Sequence, residues 1–142
     1  NSLFITVKTL TFPGSYSSLV KIGEFVTQAA KSIGFNGFEL YKIETAVDEA
    51  CSNIIEHAYG QEDIGDIVIS VTTDPESITI RLTDFGDPFD PKIVKQPNLE
   101  AELEDRDDHG LGIYMMKQWM DIVIFDTFED KNVLTLVKHL KD

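Results

Sequence analysis

The sequence predicts an α+β fold: a two-layer α/β sandwich in which three helices cover one face of a mixed, mostly antiparallel sheet. Apolar residues recur at a 3-to-4 spacing in three stretches and alternate, or form short β-branched runs, in five others. The two kinds come in the order β, α, α, ββ, long loop, α, ββ. Runs of each kind, in place of strict βαβ alternation, favour a largely antiparallel sheet with its helices on one side. A chain of 142 residues is long enough for one domain with a real core, 1–142, and too short for two comfortable ones.

The elements follow in chain order. "LFITVKTL", residues 3–10, is rich in β-branched and aromatic residues and ends at "PGS", so it reads as a strand and a turn. From Ser15 the positions Leu19, Ile22, Val26, Ala29, Ala30 and Ile33 mark a helix that Gly34 stops. A second helix is predicted over 38–59, with Leu40, Ile43, Val47, Ala50, Ile54 and Ala58 as its buried stripe and Gly60 as its end. "DIVISVTT" and "SITIRLTDF" flank "DPE" and form a hairpin. Residues 85–109 show no period, carry Pro88, Pro91 and Pro97, and end in the charged run "EAELEDRDDH". An aperiodic stretch longer than about 12–15 residues inside a compact domain marks a functional loop, here a lid over a ligand. "GLGIYMMKQWM" is a third helix opened by glycines, and "DIVIFDTFE" with "KNVLTLVKHL" forms a closing hairpin.

Charge narrows the function. A net charge of −13 excludes a sequence-independent grip on DNA or RNA, which needs Lys and Arg to displace counterions. An anionic ligand would therefore be held by a metal ion, backbone N–H groups or a helix dipole. Cys51 is the single cysteine, so no internal disulfide forms; with no apolar run of membrane-spanning length, a cytoplasmic protein is expected. Among Ala50, Ile54 and Ile55, Cys51 reads as a core residue.

Three motifs carry chemistry. On the second helix, Glu49, Asn53 and His57 follow one another at four-residue spacing and would form a polar column on one face. Glu49 suits a general base toward a hydroxyl or water, and the amide oxygen of Asn53 suits a magnesium ion that keeps most of its waters. In "DFGDPFDP", residues 84–91, Asp84 can accept a hydrogen bond from an exocyclic amine, which adenine has and guanine lacks at the corresponding position. Gly86 would let that ligand lie close to the backbone. In "HGLGIYMMK", Gly110 and Gly112 on either side of Leu111 expose backbone N–H groups just before a helix, which forms an anion site without basic side chains. Base, magnesium ligand, amine reader and phosphate turn together account for every portion of Mg-ATP.

With those residues in place, "ETAVDEACSNIIEHAYG", "LTDFGDPFDP" and "GLGIYMMKQWMD" resemble the N, G1 and G2 boxes of the GHKL ATPase superfamily. Within it the likeness is closest to the anti-sigma-factor serine kinases of bacterial partner-switching systems. The resemblance covers nearly the whole chain and implies a single histidine-kinase-like ATPase domain with a Bergerat fold that binds ATP and Mg2+ beneath a lid. It makes Glu49 the catalytic base, Asn53 the magnesium ligand and Asp84 the acceptor for the adenine amine. Gly86 becomes the glycine of the adenine box, Gly110, Leu111 and Gly112 the phosphate turn, and His57 a residue near the phosphates. It implies a serine/threonine protein kinase that phosphorylates a small anti-anti-sigma (STAS-type) protein, sequesters a sigma factor or similar regulator, and forms a homodimer. The chain departs from its relatives at "RDDHG", which puts Asp107, Asp108 and His109 there, and the two aspartates place negative charge beside the expected phosphates. Two alternatives stand beside this one: a nucleotide-regulated interaction module without catalysis, and the catalytic fragment of a sensor histidine kinase. The second is opposed by Glu49, where such kinases usually carry Asn.

Overall fold

The computed structural model describes residues 4–88 and 108–141. The strands are β1 (Thr6–Pro13), β2 (Asp66–Asp74), β3 (Ser77–Asp84), β4 (Ile122–Thr127) and β5 (Asn132–His139); the helices are α1 (Leu19–Ser32), α2 (Gly37–Asn53) and α3 (Asp108–Trp119). The strands form one sheet in the order β1-β2-β3-β5-β4, and every adjacent pair is antiparallel. The closing hairpin therefore enters the sheet with β5 against β3 and leaves β4 at the edge. The expected lid falls largely on residues 89–107 and so lies outside the described residues.

Strand alternation builds the core. Ile67, Ile69 and Val71 of β2, Ile78, Ile80 and Leu82 of β3, and Leu134 and Leu136 of β5 are all buried on one face. They pack against Ile22, Val26 and Ala30 of α1 and Ile43, Ala46, Val47 and Ala50 of α2, with Met116 of α3 joining the same cluster. Each fully buried Ile or Leu contributes about 1.5–3 kcal/mol. Burial on one face only follows from the period of two: the alternate residues, such as Ser70, Thr79 and Arg81, lie on the face without helices.

The β2–β3 turn is set by Asp74, whose carboxylate accepts from the Glu76 amide at 2.7 Å and from the Ser77 hydroxyl at 2.9 Å. These bonds hold the Asp74 carboxyl below its ordinary pKa.

The second helix departs from the sequence reading. Its α-helical part ends at Asn53, and Ile54–Ala58 forms one π-type turn closed by the Tyr59 amide donating to the Ile54 carbonyl at 2.9 Å. Such a turn carries one more residue around the axis than an α turn, so the four-residue column stops being a column at Asn53. Asn53 is buried while His57 is exposed. Gly60, at φ 86°, then ends the helix in a conformation that a side chain disfavours. α3 also differs from expectation: it is helical from the first residue described, Asp108, so Gly110 and Gly112 lie inside the helix and not before it.

One buried cation ties the layers together. Lys138 of β5 is 3% exposed; its Nζ donates to the carbonyl of Trp119 at 2.7 Å and pairs with Glu39 Oε2 at 3.0 Å. It thereby caps the C-terminus of α3 and anchors the first turn of α2. Lys42 meets the other Glu39 oxygen at 3.2 Å, and the bonds from Lys138 and Lys42 hold the Glu39 carboxyl below its ordinary pKa. Because Glu39 itself is 43% exposed, the pair is worth less than a fully buried one. Lys138→Met should cost about 1–3 kcal/mol, mainly from the carbonyl left without its donor. Urea unfolding checks this, and an unchanged midpoint would remove the capping role. The depressed Glu39 pKa also sets a sign: its stabilisation is present above the pKa of an unfolded glutamate and is lost as pH falls through the folded value. In the Lys138 variant that acid-dependent loss should shrink.

Candidate active site

A cleft opens between α2 and the adjoining ends of β3, β4 and β5. Its walls include Ala50, Asn53 and Ala58 from the helix, Asp84 from β3, and Phe125 and Asn132 from the closing hairpin. Asn53 is 8% exposed, and both its amide nitrogen and its amide oxygen are buried without a hydrogen-bond partner among the described residues. Leaving such groups unpaired costs about 1–3 kcal/mol, a cost that a bound polar ligand would recover.

Asp84 is 4% exposed. Its Oδ1 accepts from the Gly86 amide at 3.0 Å and from the Asn132 side-chain amide at 2.9 Å. Burial pushes its carboxyl pKa up, while the bonds from Asn132 and Gly86 oppose that rise. Both described donors end on Oδ1, which leaves Oδ2 for a donor that enters the cleft. The 84–87 segment is held from the helix side as well. The Asp87 amide donates to the Ala58 carbonyl at 2.8 Å, and the Tyr59 hydroxyl accepts from the Phe85 amide at 3.0 Å while donating to the Asp66 carbonyl. A Cβ on Gly86 would overlap the Ala58 backbone. The missing side chain makes room for the π-type turn that follows α2.

Glu49 lies one turn before Asn53 and faces another space, a groove between α2 and α3 lined by Thr45, Glu49, Gly112, Met115 and Trp119. The Glu49 carboxylate rests on the backbone of Gly112, where a Cβ would overlap it. This contact predicts a contest of two known magnitudes. Alanine is better than glycine in a helix by about 1 kcal/mol, whereas overpacking costs about 1–3 kcal/mol. Because the overlapping atoms belong to a flexible glutamate side chain on an open groove, Gly112→Ala should displace the Glu49 carboxylate, and its net effect on stability should be more favourable in a Glu49→Ala background than in the wild type. Thermal unfolding of the four proteins in that cycle checks it; additive effects would show that the two residues do not meet.

The family model of the histidine kinase-like ATPase domain matches residues 12–138, a span that includes every residue of this site. The chain belongs to that family. Serine-protein kinase RsbW of Bacillus cereus and its namesake in Bacillus thuringiensis subsp. konkukian are each 31% identical to it over 96 residues. The match covers 65% of this chain and 59% of each relative, about three fifths of the relatives' length.

In this ATPase domain the structure brings together Asn53, Asp84 and Gly86 at one cleft, and Glu49 and Gly112 at the neighbouring groove. His57 is turned to the surface by the π-type turn. Gly110 and Leu111 lie within α3. Lys117 is exposed and sits 5.9 Å from the centre of the Phe125 ring. Asp107 lies outside the described residues. The wall from β4 and β5 was missed by sequence reasoning, because the hairpin carries no motif and its place beside β3 is a matter of sheet order. The register Asp84↔Asn132 is what puts Asn132 beside the site. Among the described residues no group of three or more His, Cys, Asp or Glu side chains could hold a metal ion, and no helix is long and apolar enough to cross a membrane.

Proposed function

We propose that this domain binds Mg-ATP across the cleft and the adjoining groove and transfers the γ-phosphoryl group to a serine of a small protein. The observation that carries the reading is the buried, unpartnered amide of Asn53, which shares a cleft with the buried carboxylate of Asp84 and stands one turn from Glu49. The name of the RsbW relatives as serine-protein kinases supports the same reaction.

Each residue then has a part. Asp84 Oδ2 accepts from the adenine amine, and the backbone at Gly110, Leu111 and Gly112 supports the phosphates, with His57 nearer the solvent side. Asn53 would hold magnesium through its amide oxygen; a lone neutral oxygen fits that ion, which keeps several waters and takes its remaining ligands from phosphate. Bound there, magnesium supplies neutralisation of the charge on the phosphates. Glu49 accepts the proton of the serine hydroxyl as its oxygen bonds to the γ-phosphorus and the bond from that phosphorus to the bridging oxygen breaks, leaving ADP.

The acceptor is an anti-anti-sigma (STAS-type) protein, and the same domain, as a cytoplasmic homodimer, sequesters a sigma factor or similar regulator. Incubation with γ-labelled ATP, magnesium and an extract of the source organism tests the reaction. One small labelled protein, with label on serine, is the expected result. Retained nucleotide with no labelled band would leave a nucleotide-regulated interaction module as the better description.

A further inference from the structure

Asn132 makes a set of hydrogen bonds in the cleft that neither packing nor the reaction above requires. It is the first residue of β5, 9% exposed, and is paired in register with Asp84 across the β3–β5 ladder. Its Nδ2 reaches three acceptors: Asp84 Oδ1 at 2.9 Å, the Asp87 carbonyl at 3.0 Å and the Gly86 carbonyl at 3.3 Å. An amide nitrogen carries two protons, so these are shared bonds from one donor to the whole 84–87 segment.

We infer that Asn132 is a positioning residue for nucleotide selection: it locks the Asp84 carboxylate so that a single oxygen, Oδ2, is presented to the 6-amino group of the purine. This rests on the reading of the cleft as a nucleotide site and goes beyond it by assigning selectivity to a residue on another strand.

The physical grounds are geometric. A carboxylate on a strand end can turn about its last torsion, which is broad for aspartate. Two donors on one oxygen, one from the Gly86 backbone and one from Asn132, remove that freedom and occupy Oδ1. The same Nδ2 ties the Gly86 and Asp87 carbonyls to β5, while the Asp87 amide holds to Ala58 on the helix side. The reader is thus fixed from both walls of the cleft before any ligand arrives. Preorganisation of this kind acts on the contact that Asp84 makes and leaves the rest of the nucleotide untouched.

The test compares two ligands on the same proteins. Calorimetric titration of the whole chain with magnesium and either ADP or purine riboside 5′-diphosphate, which has hydrogen in place of the 6-amino group, isolates the amine contact. Wild type should favour ADP. Asn132→Ala should weaken ADP by about tenfold, the loss of one charge-assisted hydrogen bond's worth of alignment, and leave the 6-deamino nucleotide within about twofold. Asn132→Thr, which suits a strand and keeps one donor, should recover most of the preference.

An equal loss for both nucleotides in Asn132→Ala would make Asn132 a residue of the fold alone and overturn the inference. Unchanged binding of both would overturn it too. If wild type binds both ligands equally, the amine contact of Asp84 itself is wrong. If it binds neither, the nucleotide reading of the cleft fails, and this inference fails with it by a separate and recognisable result.

Discussion

Glu49→Gln is expected to retain Mg-ATP and to lose phosphoryl transfer by about 10²–10⁴-fold, the usual contribution of a positioned general base. Glutamine has nearly the same shape, so it can occupy the seat on Gly112 that the carboxylate fills. It cannot accept the serine proton. Binding should therefore be preserved because the adenine contact is made at Asp84, in the other space along α2. Single-turnover transfer from γ-labelled ATP, with bound nucleotide measured in parallel, separates the two effects. Transfer at the wild-type rate would remove Glu49 as the base. Loss of both transfer and binding would mean that the groove and the cleft act as one site, with Glu49 needed for the fit of the phosphates.

Asp84→Asn should produce two effects of opposite sign. The first is a loss of ATP binding of about 10–150-fold, the worth of a hydrogen bond to a charged group at about 1.5–3 kcal/mol. The second is a gain in stability of the ligand-free protein at neutral pH. Burial raises the Asp84 pKa, so the folded state holds its proton more tightly than the unfolded chain does. For a carboxyl shifted that way, stability increases as pH falls through the folded value and decreases as pH rises through it. Asparagine can still accept from Gly86 and Asn132 but carries no charge to desolvate, so this dependence should vanish and the unfolding temperature at pH 7 should rise. A buried charge kept at a cost to stability is what a binding site requires. An Asp84→Asn protein that is less stable at pH 7 and binds ATP normally would show that the carboxylate serves the fold.

Much of this was legible from residue order. The apolar spacing of α1 and α2, the alternation in β2 and β3, and the hairpin around Asp74 each depend on local geometry, and each element formed close to where its pattern placed it. Glu49, Asn53, Asp84 and Gly86 were singled out because their chemistry is local to a motif, and local motifs survive without knowledge of the fold. Glu49 and Asn53 stand one turn apart on α2 as their spacing requires, the first at the groove and the second at the cleft. Beyond Asn53, helical periodicity assumes four residues per stacked position, and the i→i+5 bond from Tyr59 to Ile54 broke that assumption and sent His57 to the surface.

The sequence by itself determined which residues could do chemistry and which faces had to be buried, because charge, hydrogen-bonding capacity and apolar period belong to the chain. Tertiary structure alone decided which of those residues meet. Antiparallel pairing of β3 with β5 set Asn132 against Asp84, although 48 residues separate them along the chain. Packing of α3 on α2 seated the Glu49 carboxylate on Gly112 and gave that glycine a steric reason to be there. No local pattern encodes either contact, since sheet order and helix packing are chosen by the burial of the whole core at once.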